Sequence, residues 1–191
     1  NSNSDIATVE INVLSVNDIP VAESVTFEVD DEFFNFNISN YISDLDEDEL
    51  LFNTVPPSQI ENQFSTLMGG TIEYISDYNF IYTKPNTDIA ADYAIYKVSD
   101  GLSESSIEII TFVIDSNRLD SRLSPSALSD NVIMMEDSES EITLIGFDIF
   151  GFPQDGSAEI TITQNPENGS IGTPQFEPSS TNQIAKWTVS Y

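Results

Sequence analysis

Asp44-Leu45-Asp46-Glu47-Asp48-Glu49-Leu50 places carboxylates on alternate residues and closes on an apolar pair, Leu50-Leu51. Alternate side chains in such a loop point the same way, and a hard divalent cation such as Ca2+ takes roughly six to eight oxygens from groups of this kind. The chemistry on offer is therefore cation ligation. Asp44 and Asp46 are the leading ligand candidates and Asp48 the next, while Glu47 and Glu49 are expected to face solvent. A solvated acidic turn is the plain alternative in a chain this acidic. Two more acidic segments bear on the choice: V-N-D-I-P at 16–20, with Glu23 shortly after it, and V-S-D-G at 98–101.

The elements that must position these residues read as strands. Residues 7–14 alternate, with Ala7, Val9, Ile11 and Val13 on one face, and they look like the last strand of a preceding domain. Asn17-Asp18-Ile19-Pro20 ends that strand, since Asn and Asp turn the chain and proline stops pairing. Val25–Val29, Phe34–Ile38, Leu50–Phe52, Ile72–Ile75, Phe80–Tyr82 and Ala94–Val98 follow as short strands separated by turn residues. Ile107–Ile114 is the most apolar run and predicts a strand buried on both faces. About seven such strands with turns between them make an all-β pattern, that of a β-sandwich.

If consecutive strands run up and down, the loops after the second, fourth and sixth strands share the end at which the chain arrives. Those loops hold Asp44–Asp48, Asp77 and Asp100–Glu104, and the chain arrives through Asn17-Asp18 and Glu23. Carboxylates so gathered repel one another, and a bound cation reverses the repulsion. The expected ligand set for Ca2+ is Asn17, Asp18, Glu23, Asp44, Asp46, Asp48 and Asp100.

Composition narrows the function classes. The chain has 191 residues, 39% of them hydrophobic, with 12 Phe and 7 Tyr, so a real core is within reach. Its 33 acidic residues against 5 basic ones give a formal net charge of −28, which argues against nucleic acid and anionic membrane surfaces. That charge suits a salty or calcium-rich exterior. Cysteine and histidine are both absent, which removes disulfides, thiolate metal sites, Cys–His and Ser–His catalysis and any ordinary zinc site. No apolar run reaches the length of a membrane helix. The chain opens on N-S-N-S-D and runs straight into a strand, so it is expected to be an excerpt from a longer polypeptide.

Residues 116–130 read as a Ser-rich linker carrying Arg118 and Arg122, with Leu119 and Leu123 spaced for a single helical turn. A further unit is expected over 131–191, with strands at Ile142–Leu144, Ile160–Ile162 and Trp187–Tyr191 and a turn at Pro166–Gly169.

These motifs resemble the cadherin-like, immunoglobulin-fold tandem repeats of large secreted adhesins and surface proteins. V-N-D-I-P at 16–20, D-L-D-E-D-E-L at 44–50, G-G-T-I-E-Y at 69–74, Y-T-K-P-N at 82–86 and Y-K-V-S-D-G at 96–101 follow that family's order. The resemblance implies a last strand of a preceding repeat over 1–17, a complete β-sandwich over 18–115 and an N-terminal part of an incomplete repeat over 131–191. Met135-Glu136-Asp137, Leu144–Asp148, Pro166–Ser170 and Trp187–Tyr191 carry the second, partial match, in which Tyr191 corresponds to Tyr82. Loop 146–156 keeps Asp148 and Asp155 but not the alternating triad, and Arg118 and Arg122 are candidates to neutralise its carboxylates instead.

The expected function is a calcium-stiffened structural or adhesive module, extracellular or on the cell surface, strung into a rod or filament. Its expected partners are neighbouring repeats, or identical subunits whose N-terminal strand completes an open sheet. The alternative is a glycan- or protein-binding sandwich. An enzyme is not expected, because with 33 acids some carboxylate pair always lies close, and neither a nucleophile motif nor a phosphate loop is visible. Asn37-Ile-Ser39 and Asn168-Gly-Ser170 fit the N-glycosylation pattern, and the second also reads as a tight turn. The aromatics from Phe33 to Tyr96 read as core and sheet-face residues. Phe150 and Phe152, between glycines in a loop, are candidates for an inter-domain or inter-subunit contact.

Overall fold

A computed structural model describes residues 16–55, 57–58, 60–119, 126–128, 135, 138–148, 150–153, 155–178 and 182–191. The strand read at 7–14, Pro56, Arg122, Leu123 and Glu136-Asp137 lie outside the described residues. The described chain is all-β. In the first unit the strands are β1 (Val21–Ala22), β2 (Val25–Glu28), β3 (Phe33–Asn37), β4 (Ile42–Ser43), β5 (Leu51–Thr54), β6 (Gln63–Ser65), β7 (Thr71–Ser76), β8 (Asn79–Thr83), β9 (Ala91–Ser99) and β10 (Glu108–Val113). They form two four-stranded sheets, ordered β2-β10-β9-β5 and β3-β8-β7-β6, with β1 and β4 as a short additional pair.

The first long strand lies beside the last. β2 pairs with β10 in parallel, Val25 opposite Ile110 and Glu28 opposite Val113, whereas β9 runs antiparallel to both β10 and β5. A parallel first and last strand sends the chain in at one pole of the sandwich and out at the other. The leading pole, where the chain arrives, also receives the end of β3, the β7–β8 turn, the start of β5 and the β9–β10 connection. This is the convergence expected from the order of the strands.

Inward residues of the two sheets alternate as a half-buried strand requires. Phe36, Ile72, Phe80 and Tyr82 from one sheet meet Ala94, Tyr96, Val98, Ile110 and Phe112 from the other. Rings do most of the filling: Tyr82 stacks on Phe112 with centroids 3.9 Å apart, and Phe36 meets both Phe80 and Phe112 at 5.2 Å. Such pairs add about 0.5–1.5 kcal/mol each beyond simple burial. Phe33, by contrast, turns outward and is 60% exposed.

The second unit contains β11 (Ser126–Ala127), β12 (Glu141–Phe147), β13 (Gln175–Glu177) and β14 (Ile184–Ser190), in the order β11-β12-β14-β13. Its layout repeats part of the first: β12-β14-β13 corresponds to β3-β8-β7, and the β11–β12 pairing to β1–β4. Ser126 and Ala127, within the stretch read as linker, pair with Phe147 and Gly146. The strand expected at Ile160–Ile162 is not formed. In the first unit the equivalent strand, β5, is held by hydrogen bonds to β9. No described strand of the second unit takes the place of β9, so this apolar alternation has no backbone partner to pair with.

Candidate metal centre

Asp44 follows directly on β4, whose Ser43 pairs with Val21, so the sheet edge fixes where the acidic loop begins. The Asp44 side chain then organises the loop. Its Oδ1 accepts the Asp46 backbone N–H at 2.8 Å and lies 3.5 Å from that of Asp48. Glu47, at φ 63°, takes the left-handed conformation that bends the chain here, and Glu47 and Glu49 both face solvent as expected. One carboxylate oxygen from each of Asp44, Asp46 and Asp48 then lies within 4.8 Å of the others. The second oxygen of Asp44, Oδ2, is buried and has no hydrogen-bond partner. A buried acceptor without a partner costs about 1–3 kcal/mol, and more when charged. The donor set is all hard oxygen, which suits Ca2+, and an ion held by the three carboxylates would satisfy this orphaned atom.

The arriving chain is tied to the same loops. The Asp18 backbone N–H donates to Asp46 Oδ2 at 2.7 Å. The Asn17 side-chain amide donates to Asp100 Oδ2 at 2.9 Å and to Ser103 Oγ at 3.2 Å. Asp100 Oδ1 accepts the backbone N–H groups of Leu102 and Ser103, each at 2.6 Å, around a turn in which Gly101 has φ +92°. These bonds, from the Ser103 N–H first and the Asn17 amide second, hold the Asp100 carboxyl below its ordinary range. A lowered folded pKa stabilises the fold above the unfolded value and stops doing so as pH falls through the folded one. The melting-temperature difference between the natural chain and Asp100→Asn should therefore be present at about pH 5 and shrink below the ordinary Asp value of about 3.9. A difference independent of pH would show that the Asp100 charge is not what the turn uses.

Of the seven residues expected as ligands, the structure gathers the carboxylates of Asp44, Asp46 and Asp48. Asn17 and Asp18 attach to the loops, Asp18 through its backbone, and Asp100 is joined to Asn17 rather than to the triple. Glu23 contributes backbone: its N–H donates to the Tyr41 carbonyl, and its own carbonyl accepts the Tyr96 hydroxyl at 2.6 Å. Asp77 sits in the β7–β8 turn, where its carbonyl accepts the Asn37 amide. In the second unit, Asp148 Oδ1 accepts the Phe150 N–H and Asp155 Oδ1 that of Ser157, so each caps its own turn. Hydrogen bonds from Ser157 lower the Asp155 pKa. Arg118 does not reach these carboxylates, because it is occupied by Asp88 and Asp115 of the first unit.

The Asn37 amide nitrogen, the atom a glycan would occupy, donates to the Asp77 carbonyl at 3.1 Å and to Asn79 Oδ1 at 3.0 Å. Asn168 is exposed in a turn. Phe152 packs edge-on against Trp187, with centroids 6.3 Å apart, within the second unit rather than between units.

Asp92 is a residue that the sequence reading passed over. It is fully buried on β9, where its Oδ2 accepts Thr66 Oγ1 at 2.5 Å, the Gly70 N–H at 3.2 Å and the Tyr82 hydroxyl at 3.0 Å. Its Oδ1 accepts the N–H groups of Met68 and Tyr93 at 2.9 and 2.7 Å. Burial and the nearby Asp92 charge raise the Tyr82 phenol far above its ordinary pKa, and the same two causes push Tyr93 up to about 12. A lone acid inside the apolar run A-A-D-Y-A-I-Y was the available signal.

Two facing antiparallel-rich sheets with a parallel first-to-last strand pair, carrying carboxylate loops at one pole, define an immunoglobulin-like β-sandwich protein. The chain belongs to the family described as bacterial Ig domain, whose model matches residues 17–113. No curated protein matches the chain. Among the described residues no helix is long and apolar enough to cross a membrane.

Proposed function

We propose that the chain is a calcium-stiffened structural or adhesive segment of a bacterial surface or secreted protein, built from cadherin-like units in tandem. The observation that carries this reading is the buried, unpartnered Oδ2 of Asp44 inside a group of three carboxylates that converge within 4.8 Å. The group lies at the pole where the preceding chain arrives; that chain is bonded to it through the Asp18 N–H, and to the neighbouring Asp100 turn through Asn17. A cation there would couple the orientation of the arriving segment to the sandwich, so its role is mechanical. Asp44, Asp46 and Asp48 would hold the ion, and Asp18, Asn17 and Asp100 would keep the segment and the neighbouring turn in place. The net charge of −28 makes the ion-free state self-repelling, which favours a calcium-rich exterior as the working environment and neighbouring repeats as the partners.

Thermal melting of the whole chain in low-salt buffer, with and without saturating Ca2+, tests the reading. A calcium-dependent rise in the melting temperature of the first unit, beyond that given by NaCl at matched ionic strength, is expected. An unchanged melting temperature contradicts it.

A further inference from the structure

β9 and β10 are buried on both faces, and the two faces have different partners. Ala94, Tyr96, Val98, Ile110 and Phe112 fill the sandwich core. Ala91, Tyr93, Ile95 and Ile109 point the other way, yet none is more than 4% exposed. In an isolated sandwich this outer face would meet water, and it would be expected to alternate toward polar residues. Here Val55, Leu67, Met68 and Ile107 of the first unit cover part of it, and it is completed by Phe147 and Ile184, which are opposite each other on β12 and β14 of the second unit. The Tyr93 and Phe147 rings lie 4.9 Å apart, and Leu119, Leu128 and Ile145 pack around the same cluster. Among the described residues, the adjoining cavity is lined by Thr, Ser, Gln and apolar side chains, none of them charged.

We infer that the contact between the two units is a cation-independent hydrophobic joint, in contrast to the acidic leading pole. Three observations converge on it. The described residues in the contact carry no formal charge, the Tyr93 hydroxyl being buried there without a partner, so no repulsion needs a counter-ion. Asp148, which directly follows Phe147, and Asp155 are used by their own turns. Arg118, at the start of the connection, is held on the first unit by Asp88 and Asp115, which anchors the chain where Leu119 enters the cluster. Phe147 and Ile184 of the second unit pack on the outer face of β9 and β10, away from the leading-pole carboxylates. Chelation would loosen the chain only at the leading pole.

The chain has no cysteine, so a pair introduced at the exposed Asn86 and Ser170 takes donor and acceptor dyes without background. Energy transfer in this labelled full chain is expected to keep its mean and width when Ca2+ is removed with EDTA. Ile109→Ser, on the first unit, and Phe147→Ser, on the second, are each expected to lower and broaden it. Emission from Trp187, the single tryptophan, checks that the second unit stays folded. If EDTA changes the transfer distribution of the natural sequence, the inference is overturned. It is equally overturned if both Ser variants, with Trp187 emission intact, leave the distribution as it was.

Discussion

Asp44→Asn is expected to abolish the calcium-dependent rise in the melting temperature of the first unit, and to reverse the sign of the variant's effect between the two conditions. Asn keeps Oδ1, so the turn-forming acceptance of the Asp46 N–H survives. What is lost is one of three charges whose oxygens lie within 4.8 Å. At this separation each unit-charge pair repels by about 1 kcal/mol in water-like surroundings, and by more where water is excluded. Without calcium the variant should therefore melt at or above the natural chain. With calcium the order inverts, since an ion bound only by the folded state at about a hundred times its Kd adds about 2.7 kcal/mol. For a sandwich of this size that is on the order of 10 °C. A purely structural role for Asp44 predicts lower stability under both conditions, so the crossing is the diagnostic feature. Mg2+ at the same ionic strength separates ligation from general screening.

The second large effect is expected from Asp92→Ala. The carboxylate accepts from the Thr66 and Tyr82 hydroxyls and from the backbone N–H groups of Met68, Gly70 and Tyr93. Truncation leaves these donors facing a void, and a loss of about 3–5 kcal/mol is expected, as for other broken buried charged networks. Urea unfolding followed by circular dichroism measures it, and a loss below about 1 kcal/mol would mean that water replaces the carboxylate at little cost. The same contact explains the Gly69-Gly70 pair. Gly69 has φ +94°, while a Cβ on Gly70 would stand 2.5 Å from Asp92 Oδ2 and 2.8 Å from the Tyr82 ring. Gly70→Ala should accordingly destabilise through overpacking, by about 1–3 kcal/mol. Neither change touches the leading pole, so both variants should retain calcium binding while folded.

Much of the first sandwich was legible because its strands alternate in hydrophobicity, with period two and turn residues between them. Val25–Glu28, Phe33–Asn37 and Glu108–Val113 form where that pattern placed them. The gathering of Asp44, Asp46 and Asp48 was equally legible, since alternate residues in one loop need no tertiary information. The links from Asn17 to Asp100 and from Asp18 to Asp46 depended on which pole each loop reaches, and strand order supplied that. Asp92 was harder. A single acid in an apolar strand carries no sign of its partners, which come from loop 66–70 and from β8. Burial of β10 on both faces was visible, but not what covers its outer side, because Phe147 and Ile184 arrive from a separate unit. At Ile160–Ile162 the periodicity pointed to a strand that the described chain does not pair. Alternation records which face is apolar, whereas a strand also needs a neighbour for its N–H and C=O groups.

Isothermal titration calorimetry of the full chain with Ca2+ tests the central claim most directly. The natural chain and Asp148→Asn are predicted to bind alike and saturably, while Asp44→Asn, folded by circular dichroism, loses that binding. Equal calcium binding by the natural chain and by Asp44→Asn, or none by either, would contradict the account.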